Sequence, residues 1–187
     1  LLYTHLVNYD LDGYEGTQFA RLLAPLGTDN FSYKLEGCLV TTDTNPASQE
    51  EPGAQTNKDR LVTIHPGSTS IYKQWDIRKF SVLVRRLVTD HAFQVALIGG
   101  HNDIEQANKI LRETGSSGKI VSYAGQLTLQ ETAGKIRKSV FFISGDSGLA
   151  HLAIAVGTPT IAIFGPTDPG KWGLMNSRHV IIRKNLA

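Results

Sequence analysis

Residues 144–151 read "SGDSGLAH", with an acid, two hydroxyls, two glycines and a histidine in eight positions. They lie between an apolar run, "SVFFI", and a small-residue run, "LAIAVG". A turn of this kind, leading from a buried strand into a helix, suits an anion. The first amides of a helix have no intrahelical partner, and they carry positive partial charge. Gly145 and Gly148 let the backbone turn sharply and approach a ligand closely. Asp146 or Ser147 can cap the helix. The charge of Asp146 suits it to sugar hydroxyls or to ordering loop amides rather than to a phosphate. His151 falls about one turn into the helix, and helical side chains lean toward the N-terminus, so its imidazole reaches toward the same anion. The same residues also fit a plain helix cap beside a satisfied histidine.

Three further stretches carry candidate chemistry. "HPGSTSIYKQW", residues 65–75, places the hydroxyls of Ser68, Thr69 and Ser70 just ahead of Lys73. A hydroxyl-rich loop with one lysine can hold a charged, leaving diphosphate. Alone it reads equally as a solvated loop in which Trp75 anchors the next helix. "FGPTDPGKW", residues 164–172, is fixed by two prolines and two glycines, with Thr167 and Asp168 as polar candidates or the whole as a rigid cover. In "GGHNDIEQA", Asp103 and Glu105 are acids of the kind that bind ribose hydroxyls, although a helix N-cap is the expected role of Asp103. His5, His65, His91, His101 and His179 show no metal-ligand spacing, so no metal site is assigned. No GxGxxG, P-loop or GxSxG pattern is present.

These stretches must be positioned by regular elements, and from Arg60 onward the pattern supplies them. "LVTIHPG", "FQVALIGG", "KIVSYAG", "VFFISG", "PTIAIFGP" and "HVIIRKN" read as strands, most of them continuous apolar runs. Between them, "DIRKFSVLVRRLVTDH" puts Ile77, Phe80, Leu83, Val84 and Leu87 at helical spacing. "NDIEQANKILRETG" is an amphipathic helix stopped by Gly115, and "TLQETAGKIRKS" opens with a capping box, Thr128 and Glu131. Alternating apolar strands and helices predict an α/β fold, a Rossmann-like parallel sheet with helices on both faces. Every candidate loop follows a strand, and ligands of such sheets bind at the carboxyl ends of the strands.

The 187 residues divide by texture into 1–60 and 61–187. The first part has a short helix ended by Pro25 and Gly27, then an exposed polar stretch at 41–59, and reads as a linker or crossing segment. The second is the expected Rossmann-like binding domain. A net charge of +2 gives no argument for nucleic acid, and one cysteine, Cys38, excludes an internal disulfide framework. No apolar run approaches the roughly 18–20 residues of a membrane span. The first residues lack the basic start of a signal peptide and do not begin with Met, so the chain is expected to be a fragment of a cytoplasmic protein.

Taken together, the motifs resemble one family. "ISGDSGLAHLAIAVGTPTIAIFGPTDPGKWG" is similar to the donor-binding segment of family 9 glycosyltransferases, the ADP-heptose:lipopolysaccharide heptosyltransferases. "HPGSTSIYKQWDIRKF" resembles their second signature, and the likeness covers roughly residues 61–175. It implies the C-terminal, nucleotide-sugar-binding domain of a two-domain GT-B fold. It implies that Asp146, Ser147, Gly148 and His151 bind the sugar and phosphates, with Ser68 and Thr69 in the diphosphate loop. Lys73 is then the catalytic residue that offsets charge on the leaving diphosphate, and Glu105 is a possible ribose or base contact. Ser147 stands where the family more often has threonine. The resemblance further implies inversion at the anomeric centre, no cofactor or metal, and a nucleotide diphosphate sugar, ADP-heptose, as substrate. The implied acceptor is a lipid-linked glycan at the inner face of the bacterial inner membrane. It would be held by an N-terminal domain carrying the catalytic base, and no residue of 1–60 matches that base. Two other classes stay open: a non-catalytic nucleotide-sugar-binding module, and another GT-B enzyme such as a nucleotide-sugar epimerase. An epimerase needs further carboxylates in the cleft. A transferase needs an upstream glycine-rich strand–turn–helix carrying an aspartate.

Overall fold

The computed structural model describes residues 60–115, 118–173 and 178–184. The helix expected before Pro25 and the polar stretch 41–59 lie outside the described residues. Six strands form one parallel sheet: β1 Leu61–His65, β2 Gln94–Leu97, β3 Ile120–Ser122, β4 Phe141–Gly145, β5 Thr160–Phe164 and β6 His179–Arg183. Their order across the sheet is β3-β2-β1-β4-β5-β6, and every neighbouring pair is parallel. This is the doubly wound order in which the chain reverses its direction of travel between β1 and β4.

Adjacent residues of a strand point to opposite faces, and β4 divides its side chains accordingly. Ile143 joins Val62, Ile64, Val95 and Leu97 in one apolar cluster, while Phe142 joins Ile98 in another. The first cluster is closed by α1, Ile77–Thr89, and α2, Ile104–Thr114, through Phe80, Val84, Leu87, Ala107 and Ile110. The second is closed by α3, Leu129–Arg137, and α4, Gly148–Ala155, through Ala133, Ile136, Ala150 and Ala153. Helices therefore cover both faces, as the unbroken apolar strands predict. The alanines of α4 leave little side chain between helix and sheet, so α4 sits close to the strand edge it follows.

The helix ends follow local chemistry. Asp76 accepts from the Arg78 amide at 2.9 Å at the start of α1, and the Trp75 ring packs edge-on against Phe80 at 4.8 Å. The expected capping box of α3 is present. The Thr128 amide donates to the Glu131 carboxylate at 2.8 Å, and the Glu131 amide donates to the Thr128 hydroxyl at 3.2 Å. Gly115 ends α2 at φ 77°, a conformation a side chain would resist. Several buried hydroxyls are matched as well: Thr63 bonds Ser139, Ser139 donates to the Lys135 carbonyl, and Thr158 donates to the Ile136 carbonyl.

Phe142 is fully buried where α3 and α4 meet the sheet. Phe142→Ala is expected to cost about 3–5 kcal/mol through the cavity left behind, whereas Thr128→Ala should cost about 1 kcal/mol through loss of one cap. Urea unfolding of the two variants measures both. Equal losses would show that the second cluster is not a packed core.

Candidate functional site

β1 and β4 are paired side by side, with His65 opposite Ser144, so the loops after them begin together. The first loop then runs to α1 on one face of the sheet and the second to α4 on the other. The space between them is where ligands of such sheets bind.

Lys73 comes from the first loop. It ends a short 3₁₀ turn, Ile71–Lys73, laid across the ends of β4 and β5. Two glycines make that bed. A Cβ at Gly145 would stand 3.4 Å from the Lys73 carbonyl oxygen, and one at Gly165 would stand 3.3 Å from the Tyr72 carbonyl oxygen. Gly145 and Gly148 do not adopt the left-handed backbone that a sharp glycine turn requires, so their role differs from the one the sequence suggests. The Lys73 ammonium lies 2.8 Å from the Asp146 carboxylate, whose side chain is only 7% exposed, against 32% for Lys73. Asp146 is the counter-charge of Lys73. The ammonium has three protons and gives one here, leaving two for another acceptor. Trp172, on the short helix α5 Pro169–Trp172, has its ring 5.9 Å from the same ammonium. Asp168 is engaged as the cap of α5, accepting from Gly170 at 2.9 Å.

Ser147 occupies the N-cap position of α4, but its side chain makes no capping bond. This also corrects the expectation from sequence. Its hydroxyl lies 3.3 Å from His65 Nδ1 and 3.5 Å from the Ser144 hydroxyl. With Asp146 and Ser147 both turned elsewhere, neither covers the first amides of α4. Gly148, the first residue of α4, has open space where a Cβ would project.

His65, a histidine without metal-ligand spacing in the sequence, joins two loops. Its Nε2 lies 3.2 Å from the Asp103 carboxylate, which also accepts from the Gly100 amide at 2.8 Å. Asp103 therefore does not cap α2, where it makes no such bond; it turns back to its own loop and across to β1. Gly67 and Gly99 make room, because a Cβ at either would collide with the Asp103 carboxylate. Burial pushes this carboxyl up, but the hydrogen bond and charge of His65 together with the Gly100 amide outweigh it and hold the group below the ordinary aspartate range. His151 is held in the opposite balance. Burial lowers its imidazole below 6.5, and the nearby Asp146 charge restores only part of that.

A cavity of about 690 Å³ opens here. One side is polar, with His65, Thr69, Asp103, Ser147, Gly148 and His151. The other is apolar, with Leu127, Leu129, Leu149, Leu152 and Ala155 from α3, α4 and the loop before α3. Its size suits a small organic ligand. Of the residues selected from sequence, Thr69, Ser147, Gly148 and His151 line this cavity. Lys73 and Asp146 pair beside it, and Asp146 shares a small second hollow with His151 and Trp172. Ser68 accepts from the Ser70 amide within its own loop. Glu105 is exposed and lines a separate hollow with Trp75, Asp76 and Lys109, away from the main cavity.

Two stability predictions follow from this packing. Gly67→Ala must displace Asp103, and it should cost about 1–3 kcal/mol, the penalty of an unpaired buried polar group, in chemical unfolding. For His151, the folded state holds the proton less tightly than the unfolded chain. The folded state should therefore lose stability as pH falls through about 6.5. His151→Asn should flatten that part of the pH–stability curve, and an unchanged curve would rule out a buried neutral His151.

Residues 25–187 match the family model described as glycosyltransferase family 9 (heptosyltransferase). Lipopolysaccharide heptosyltransferase 3 of Escherichia coli K12 is 33% identical over 171 residues, which is 90% of this chain and 46% of that protein. Lipopolysaccharide heptosyltransferase 2 of the same strain is 31% identical over 99 residues, 52% of this chain and 28% of the relative. Among solved structures, the E. coli ADP-heptose lps heptosyltransferase II superposes with a TM-score of 0.64 at 25% identity, over 69% of this chain and 40% of that one. The chain spans less than half the length of these relatives. The doubly wound sheet, the loops gathered at its switch point and these likenesses agree: the chain belongs to glycosyltransferase family 9.

Proposed function

We propose that this chain is the donor-binding half of an inverting glycosyltransferase that moves a heptose from a nucleotide diphosphate sugar to a lipopolysaccharide-type acceptor. Residues 61–187 are the binding domain in this reading, and residues 1–60 are the crossing segment that leads to it. The acceptor and the catalytic base belong to another part of the full-length protein, which works at the inner face of the membrane. The observation that carries the reading is the two-sided cavity at the switch point, with the uncapped start of α4 and His151 on one wall and leucines on the other.

A nucleotide fits such walls by the chemistry of its parts. The diphosphate takes the α4 amides at Gly148, the Ser147 hydroxyl and His151. The base takes the apolar wall of Leu127, Leu129 and Leu152. Thr69 and Ser68, on the loop between β1 and α1, close over the phosphates from the other side. Lys73 keeps Asp146 as its partner and points its remaining protons at the diphosphate, where negative charge grows as the sugar leaves. No resident cofactor or metal enters this reading; the nucleotide sugar is the substrate. The related E. coli ADP-heptose lps heptosyltransferase II makes ADP-heptose the donor to try first. Glu105 borders a different hollow and stands outside this reading.

Calorimetric titration with ADP, UDP, GDP and ADP-heptose tests the reading. ADP and ADP-heptose should bind saturably and more tightly than the other two. Lys73→Ala and His151→Ala should each weaken binding about tenfold, the effect of one charge-assisted hydrogen bond. Gly148→Ala is the sharper variant. Nothing in the protein obstructs a Cβ there, so the melting temperature should hold while ADP affinity falls. Unchanged affinity in Gly148→Ala would remove the phosphates from the start of α4.

A further inference from the structure

The two faces of the sheet are not covered alike. The chain from β1 to β3 places α1 and α2 on the first face, where they close the cluster built on β1, β2 and β4. From β3 onward, α3 and α4 lie on the second face, and α5 borders a small hollow there with α4. β5 pairs Ile161 with Val180 of β6 and Ile163 with Ile182. Ile161 is also paired with Ile143 of the first cluster, so these four side chains share the first face. Ile161 and Ile163 are half-buried against that cluster, whereas Val180 and Ile182 are 52% and 53% exposed. The exposed Ile71 and Tyr72 stand at the carboxyl end of the same face, on the turn that carries Lys73 across Gly145 and Gly165. Single exposed apolar residues need no cover, but a continuous strip along an edge strand marks a contact surface.

Topology limits what can lie on this strip. Crossovers between parallel strands keep one hand, so the connections from β1 to β3 serve the first face on one side and those from β3 to β6 serve the second face. The β5–β6 side of the first face is left to chain from before β1 or after β6. After β6 this chain has only residues 184–187, "KNLA", too few to form an element. Before β1, the match to the family model begins at residue 25, so the stretch from there to Arg60 goes with the sheet. Within it, residues 41–59 are polar, and the large apolar side chains gather in "FSYKLEGCLV", residues 31–40, which lie outside the described residues.

We propose that residues 31–40 dock on the first face at β5 and β6, with their apolar side chains against Ile161, Ile163, Val180 and Ile182. The distances allow it. β6 stands three strands from β1, about 14 Å at ~4.8 Å per strand. Residues 41–59 can extend to about 60 Å, far more than that gap needs. The docked segment would anchor the crossing part of the chain to the sheet, next to the turn that carries Lys73. This inference goes beyond the donor-binding reading and does not rest on it.

Cys38 lies inside the segment and is the one cysteine of the chain, so its thiol reports on the segment alone. In the full chain it should react with a chromogenic disulfide reagent about tenfold or more slowly under native conditions than in urea, because reaction waits for local opening. Val180→Cys or Ile182→Cys, each a modest change at an exposed position, then puts a second thiol on the strip. A short bismaleimide should join it to Cys38 within one chain, giving a product of monomer mass. Val82→Cys, equally exposed on the outer side of α1, is the control. It should crosslink no more than about a tenth as much, since docking raises the effective concentration only at β6. Native labelling of Cys38 as fast as in urea overturns the proposal. Equal crosslinking from positions 82 and 180 overturns it as well, because the segment then has no fixed place. Product found only at dimer mass also overturns it and gives the strip to a second copy of the chain.

Discussion

The site depends on one topological constraint. β1 and β4 are hydrogen-bonded neighbours, yet the chain leaving β1 goes to the face covered by α1 and the chain leaving β4 goes to the face covered by α4. Two loops that start together and part must leave a crevice. Side chains bridge it at its base: His65 meets Ser147, and Lys73 meets Asp146. Both bridges tie the β1 side to the β4 side, and they are separated by 82 and 73 residues in sequence. α4 presents its N-terminus to this crevice.

The crevice contains two acids. Each is neutralised within the protein. Asp146 is buried and paired with Lys73, and Asp103 is held by His65 and the Gly100 amide. A buried carboxylate without such partners would carry a large desolvation cost and would repel the ligand. With them, the local field is left to the α4 amides and the spare protons of Lys73. The pairing also explains why Asp146 and Ser147 fail to cap α4. Each has a better-fixed partner across the crevice, and the amides they would have covered stay available.

What the sequence reveals about this arrangement divides by range. The helix over 77–89, the capping box of Thr128 and Glu131 and the stop at Gly115 rest on contacts within a few residues, and all were legible. The parallel sheet was legible because strands buried on both faces leave continuous apolar runs. The loops that gather at the site followed from the same reasoning. The partners within the site did not. Asp103 and Ser147 both look like helix caps, since the local rule sees only a short polar residue before a helix. Ser147 bonds His65 instead, while Asp103 accepts the Gly100 amide at the start of the turn before α2 and adds His65 across the crevice. His65 gave no signal of its own, because a histidine at a strand end is common and its importance lies in what stands 38 and 82 residues away. Glu105 lies two residues beyond Asp103, in the first turn of α2, and borders a separate hollow with Trp75 and Lys109 rather than the main cavity, a placement that only the fold reveals.

The glycines show how far the crevice is shaped by what it must hold. Those at 67 and 99 give way to the Asp103 carboxylate, and those at 145 and 165 give way to the backbone that carries Lys73. Gly115 and Gly157 are required by backbones with positive φ. Gly148 has neither reason, since its backbone is one that any residue adopts and no protein atom stands where a side chain would project. Yet it is the first residue of α4, on the polar wall of the cavity, beside the hydroxyl and the histidine. The space beside Gly148 is therefore left to something outside the fold. The first amides of a helix whose capping side chains are turned away have the chemistry to accept an anion, and a residue without a side chain lets that anion come close to the backbone.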